Sequence, residues 1–60
     1  MNELLEDESG NLRKEKQGVT LAFDKGYNLG VAVVQNGNIQ YSQLSREEIV
    51  VLKKWLNENF

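Results

Sequence analysis

The side chains that could do covalent or acid–base chemistry are few. The chain has no Cys and no His, so a histidine-assisted nucleophile cannot be built. Its serines are Ser9 in a polar lead-in, Ser42 on a predicted strand and Ser45 at a predicted helix start. Glu47 and Glu48 are the nearest approach to a carboxylate pair. Adjacent helical residues point in different directions, so the two cannot flank one substrate bond. Ordinary zinc sites need Cys or His, and no loop has EF-hand ligand spacing. Gly26-Tyr27-Asn28-Leu29-Gly30 lacks the glycine pattern, the Lys and the following helix of a phosphate loop. The composition therefore predicts a protein that is not an enzyme and carries no cofactor and no metal.

What remains is binding chemistry, and its strongest signal is the stretch Leu44 to Phe60. Ser45 and Glu48 have the spacing of a capping box, and Leu44 with Ile49 that of a hydrophobic staple. Glu47 and Glu48 place negative charge in the first turn, where the helix dipole favours it. At about 100° per residue, Val51, Trp55, Leu52, Leu56, Ile49 and Phe60 cover about 180° of the helix, while one face of a small sheet needs nearer 100°. Ile49, Leu52 and Leu56 are expected to meet the chain's own sheet. Val51, Trp55 and Phe60 are then left for another chain, and Trp is enriched where binding energy concentrates.

The elements that must position this helix lie between Val19 and Gln43. Val19 to Asp24 alternates with period two, placing Val19, Leu21 and Phe23 on one face. Asp24 to Asn28 reads as a turn with Gly26 at positive φ, and Tyr27 at its tip is a further contact candidate. Leu29 to Gln35 is a second strand. Asn36-Gly37 is the preferred centre of a type I′ hairpin turn, after which Asn38 to Gln43 returns. That turn pairs Val34 with Ile39 and Ala32 with Tyr41 on one apolar face, which the helix is expected to cover. Val31 and Val33, opposite Ser42 and Gln40, are expected to stay half-covered and available to a partner. The predicted fold class is α+β: a three-stranded antiparallel meander followed by one C-terminal amphipathic helix (β-β-β-α), occupying residues 19–60.

Residues 1–18 read as a flexible polar N-terminal arm, because Leu4, Leu5 and Leu12 are too few to offset the entropy of ordering it. A short helix at Asn2–Glu8 and an edge strand near Asn11–Lys16 after a Ser-Gly-Asn turn are the alternatives. The Glu3, Glu6, Asp7, Glu8 cluster has the charge of a phosphate mimic.

Sixty residues with formal net charge −2 make one domain at most, with too little buried surface to be robust alone. Without disulfides or zinc, oligomerisation is the remaining stabiliser, and a homodimer is predicted. The acidic balance argues against broad phosphate binding. No apolar run reaches membrane-span length, and the first residues lack a secretory layout, so a cytoplasmic protein is predicted, in host cytoplasm if phage-encoded. By analogy with compact acidic proteins of phages and mobile elements, the expected function is a dimeric protein-binding regulator or inhibitor of a host enzyme or defence protein.

One stretch supplies a different expectation. Ile39-Gln40-Tyr41-Ser42-Gln43-Leu44-Ser45-Arg46-Glu47-Glu48 resembles the strand, leucine, capping Ser and acidic helix start of PC4-like single-stranded-DNA-binding coactivators. That resemblance implies a dimerising C-terminal helix and a nucleic-acid-binding sheet. Tyr27, Phe23, Tyr41, Lys25, Arg13, Lys14 and Lys16 would supply stacking and phosphate contacts.

Overall fold

The computed structural model describes residues 3–60. It contains β1 (Leu5–Glu6), β2 (Leu12–Lys16), β3 (Val19–Lys25), β4 (Leu29–Gln35), β5 (Asn38–Leu44) and α1 (Arg46–Asn59). The five strands form one antiparallel sheet in sequential order. The fold is a small α+β protein, mostly sheet. It has two more strands than the three-stranded meander its apolar pattern suggests, because β1 and β2 lie in the segment that reads as an arm.

The turns explain how the extra strands form. Asp7 Oδ1 accepts the backbone N–H groups of Ser9 and Asn11, each at 2.9 Å, and closes the β1–β2 loop. Asn11 Oδ1 accepts the Lys25 N–H at 2.9 Å, tying that loop to the end of β3. The β2–β3 connection is the two-residue turn Gln17-Gly18, with φ of 52° and 81°. Asn36-Gly37 joins β4 to β5 with almost the same geometry, φ 51° and 78°. Paired positive φ values are the signature of a type I′ turn, whose twist matches that of the flanking strands. Gly26, expected at positive φ, is not there. The β3–β4 loop spans three residues between the Lys25–Leu29 pair.

Register sorts the side chains. Leu12 pairs with Phe23, Phe23 with Val31, and Leu29 with both Lys25 and Leu44. One side of the sheet therefore carries Leu12, Val19, Leu21, Phe23, Leu29, Val31, Val33 and Leu44. The other carries Thr20, Ala22, Ala32, Val34, Ile39 and Tyr41, since side chains alternate along each strand. Leu52 and Leu56 of α1 stand over Leu4, Leu12, Phe23 and Leu29 around an apolar hollow of about 430 Å³. The helix thus covers the Val31/Val33 side, not the Val34/Ile39/Ala32/Tyr41 side expected for it. The deciding residue is Leu44, which enters the helix from the first side and pairs with Leu29.

Helix α1 begins as its capping residues dictate. Ser45 Oγ accepts the Glu48 N–H at 3.2 Å, and the Glu48 carboxylate accepts the Ser45 N–H at 2.9 Å. Two of the unpaired donors at the helix start are satisfied in this way. Arg46 then reaches back to the β3–β4 loop. Its guanidinium lies 5.1 Å from the Tyr27 ring centre, and its Nη1 donates to the Tyr27 carbonyl at 3.3 Å.

No apolar side chain among the described residues is fully buried. The accessible surface is 5173 Å², against about 4,000 Å² for a compact monomer of 6.9 kDa. The radius of gyration is 12.5 Å, against about 10.4 Å for a compact domain of this length. One helix laid across one end of a twisted sheet accounts for both excesses: half of one side and all of the other stay open.

Candidate functional site

The exposed apolar residues are grouped by the elements that carry them. Helical spacing puts Val51 and Trp55 four residues apart on one flank of α1. With Leu44, Glu48 and Leu52 they line an open hollow of about 390 Å³ whose walls are almost wholly apolar. Val51 is 68% and Trp55 53% exposed. Trp55 is held in place from beyond the hollow. The Phe60 ring meets it edge-on, with centroids 5.8 Å apart at 64°. Asn59 Nδ2 donates to the Trp55 carbonyl at 2.8 Å. Edge-to-face geometry is the favoured arrangement of two aromatic rings.

Arg46 and Trp55 lie on opposite flanks of the helix at about 100° per residue. Because Arg46 holds the β3–β4 loop, the Trp55 flank faces away from that loop. On the same side of the sheet Val31 and Val33 are only half-buried, and neither lines the hollow beneath Leu52 and Leu56. Lys14, Lys16, Gln17, Val19, Leu21 and Gln35 line a second open hollow there, of about 450 Å³.

The sequence-predicted contact residues are therefore only partly brought together. Val51, Trp55 and Phe60 cluster on α1, and Val31 and Val33 share the helix-bearing side of the sheet. Tyr27 stands apart in the β3–β4 loop, engaged by Arg46. Leu44, Ser45, Glu48 and Ile49 form the helix start, and Asn36 and Gly37 the hairpin turn. Within the acidic lead-in, Asp7 is a turn-former. Glu3 and Glu6 line a shallow hollow with Arg13, Lys14 and Glu15. In place of a helix at Asn2–Glu8 the described residues form the short strand β1 at Leu5–Glu6 and the start of the turn after it; Asn2 itself lies outside them.

The residues proposed for stacking and phosphate contacts are divided. Lys14, Lys16, Phe23 and Lys25 fall on the helix-bearing side, with Phe23 beneath Leu52 and Leu56. Arg13 and Tyr41 fall on the opposite side, as their register requires.

The side of the sheet that the sequence assigns to the helix, with Val34, Ile39, Ala32 and Tyr41, is instead left open. There Ile39 is 68% and Tyr41 55% exposed. The Tyr41 ring leans back over Gly30, so that a Cβ on Gly30 would lie 2.7 Å from Tyr41 Oη. Gln43 Nε2 donates to the same hydroxyl at 3.0 Å. The available signal was the alternation of Ile39 and Tyr41 with polar residues, but it does not say whether a helix covers them.

Among the described residues no group of three or more acidic side chains gathers that could hold a metal ion. No helix among them is long and apolar enough to cross a membrane. Compared with protein-family models, with curated proteins and with solved structures, the chain matches none of them.

Proposed function

We propose that this chain is a non-enzymatic protein-binding module that works as a homodimer in the cytoplasm and regulates or inhibits another protein by occupying its surface. A host enzyme or defence protein met by a phage or mobile element is the class of target that fits a compact acidic binder. The observation that carries this reading is the exposed Val51/Trp55 flank, where no apolar side chain among the described residues is fully buried. A water-soluble monomer gains nothing from leaving Val51, Trp55 and Phe60 in solvent, whereas an interface does. Dimerisation through this flank, extended over the half-buried Val31 and Val33, supplies the apolar burial that one copy lacks. The unoccupied faces are then free for the target.

The test is sedimentation at micromolar concentration. The unmutated chain is expected to run as an oligomer, with Trp55→Ala weakening association by tenfold or more, in line with about 2 kcal/mol for a central aromatic anchor. A monomer for the unmutated chain overturns the dimer. A labelled single-stranded oligonucleotide tests the competing chemistry. No mobility shift at low salt is expected, and a salt-sensitive shift replaces this reading with the nucleic-acid one.

A further inference from the structure

The two edges of the sheet are treated differently by the sequence. The β1 edge is two residues long and is flanked by Glu3, Asp7 and Glu8. Shortness and charge are the usual means of stopping an edge from recruiting another strand. The β5 edge has neither. It runs for seven residues, Asn-Ile-Gln-Tyr-Ser-Gln-Leu, without a charge, a Pro or a Gly. No described strand lies beyond it.

Ladder geometry shows what that edge offers. The residues flanking a two-residue turn, here Gln35 and Asn38, form a hydrogen-bonded pair, and such pairs then alternate. Asn38, Gln40, Ser42 and Leu44 therefore spend their backbone groups on β4. Ile39, Tyr41 and Gln43 turn theirs outward. The same three residues carry their side chains on the open side of the sheet. The Tyr41 ring lies inward over Gly30, so it does not block the edge.

We propose that β5 pairs antiparallel with β5 of a second copy, about a two-fold axis at Tyr41, joining two sheets into one. That axis sets Tyr41 opposite its twin and Ile39 opposite Gln43 of the other copy. All outward N–H and C=O groups of Ile39, Tyr41 and Gln43 are then used. Sliding the pairing by two residues leaves some of them unpaired. A second copy is the fitting occupant because an uncharged strand meets no like charge when it pairs with itself. The surface excess also allows it. This chain exceeds a compact monomer by roughly 1,200 Å², which the edge and the helix flank share as two contacts each smaller than the about 800 Å² per partner of a standard interface. The contact is separate from the helix flank, so it joins two of the homodimers proposed above, and closes as a tetramer where the two two-fold axes cross at right angles.

Residue-resolved hydrogen exchange with sedimentation tests this. The amides of Ile39, Tyr41 and Gln43 should become as protected as those of Gln40 and Ser42 when the chain is concentrated. Gln43→Pro removes an outward N–H without touching the β4–β5 ladder, and Ile39→Lys adds charge to the edge. Each should lower the assembly to a helix-paired dimer, while Trp55→Ala should leave a strand-paired one. The double variant Trp55→Ala with Gln43→Pro should be monomeric. If Trp55→Ala changes nothing but either edge variant gives a monomer, the edge contact stands and the helix-flank reading falls. Outward amides that exchange fast at every concentration overturn the proposal. So does protection that appears only when a different protein is added.

Discussion

Gln17 occupies a position that its side chain does not favour. In a type I′ turn the first central residue sits at positive φ, where Asn, Asp and Gly are at ease and Gln is not. Gln17 is at φ 52° because β2 and β3 pair from Lys16–Val19 onward and leave only two residues to turn. Gln17→Asn should therefore stabilise the protein by about 0.5–1 kcal/mol, read as a higher urea midpoint at constant slope. An unchanged or lower midpoint would show that the turn is not under this strain. Gly30 makes the opposite case. A Cβ there would meet the Tyr41 ring and, at 3.3 Å, the Asp24 Cβ, so the ring must shift to admit a side chain. Gly30→Val should displace the ring, break the Gln43–Tyr41 hydrogen bond and cost about 1–3 kcal/mol by denaturant unfolding.

At the scale of elements, the helix and the last hairpin were plain in the residues, and the first two strands were not. Ser45 and Glu48 specify the start of α1 by their own hydrogen bonds. Ser45→Ala should cost about 1 kcal/mol and fray the first turn, visible as faster amide exchange at Glu47 and Glu48. Asn36-Gly37 sets the β4–β5 register because few other dipeptides accept two positive φ values in a row. In contrast, Leu-Arg-Lys-Glu-Lys in β2 shows no apolar alternation. It is a strand because β3 offers it a ladder, with Lys14 beside Leu21 and Glu15 beside Thr20. Its turn is announced only by Gly18, since Gln17 carries no turn preference of its own.

The whole molecule is limited by its thin apolar layer. Six apolar residues line the space between helix and sheet, and an apolar hollow of about 430 Å³ remains among them. Association that covers the Trp55 flank should therefore appear directly in stability. The melting temperature of the unmutated chain should rise with protein concentration, since assembly removes folded monomer from the unfolding equilibrium. A melting temperature constant over a hundredfold dilution would count against any obligatory assembly.

By itself the sequence determined the capped amphipathic helix, the Asn36-Gly37 hairpin and its register, and the surplus of apolar residues on α1. Each is set by residues within a few positions of one another, through caps, turn dihedrals and side-chain period. Only the tertiary structure decided that β1 and β2 join the sheet, that the helix crosses the Val31/Val33 side, and that Tyr41 folds over Gly30. Those outcomes depend on pairing between strands and on the side from which Leu44 enters the helix. Local periodicity is blind to both, because it ranks the faces of one element without saying which face another element will meet.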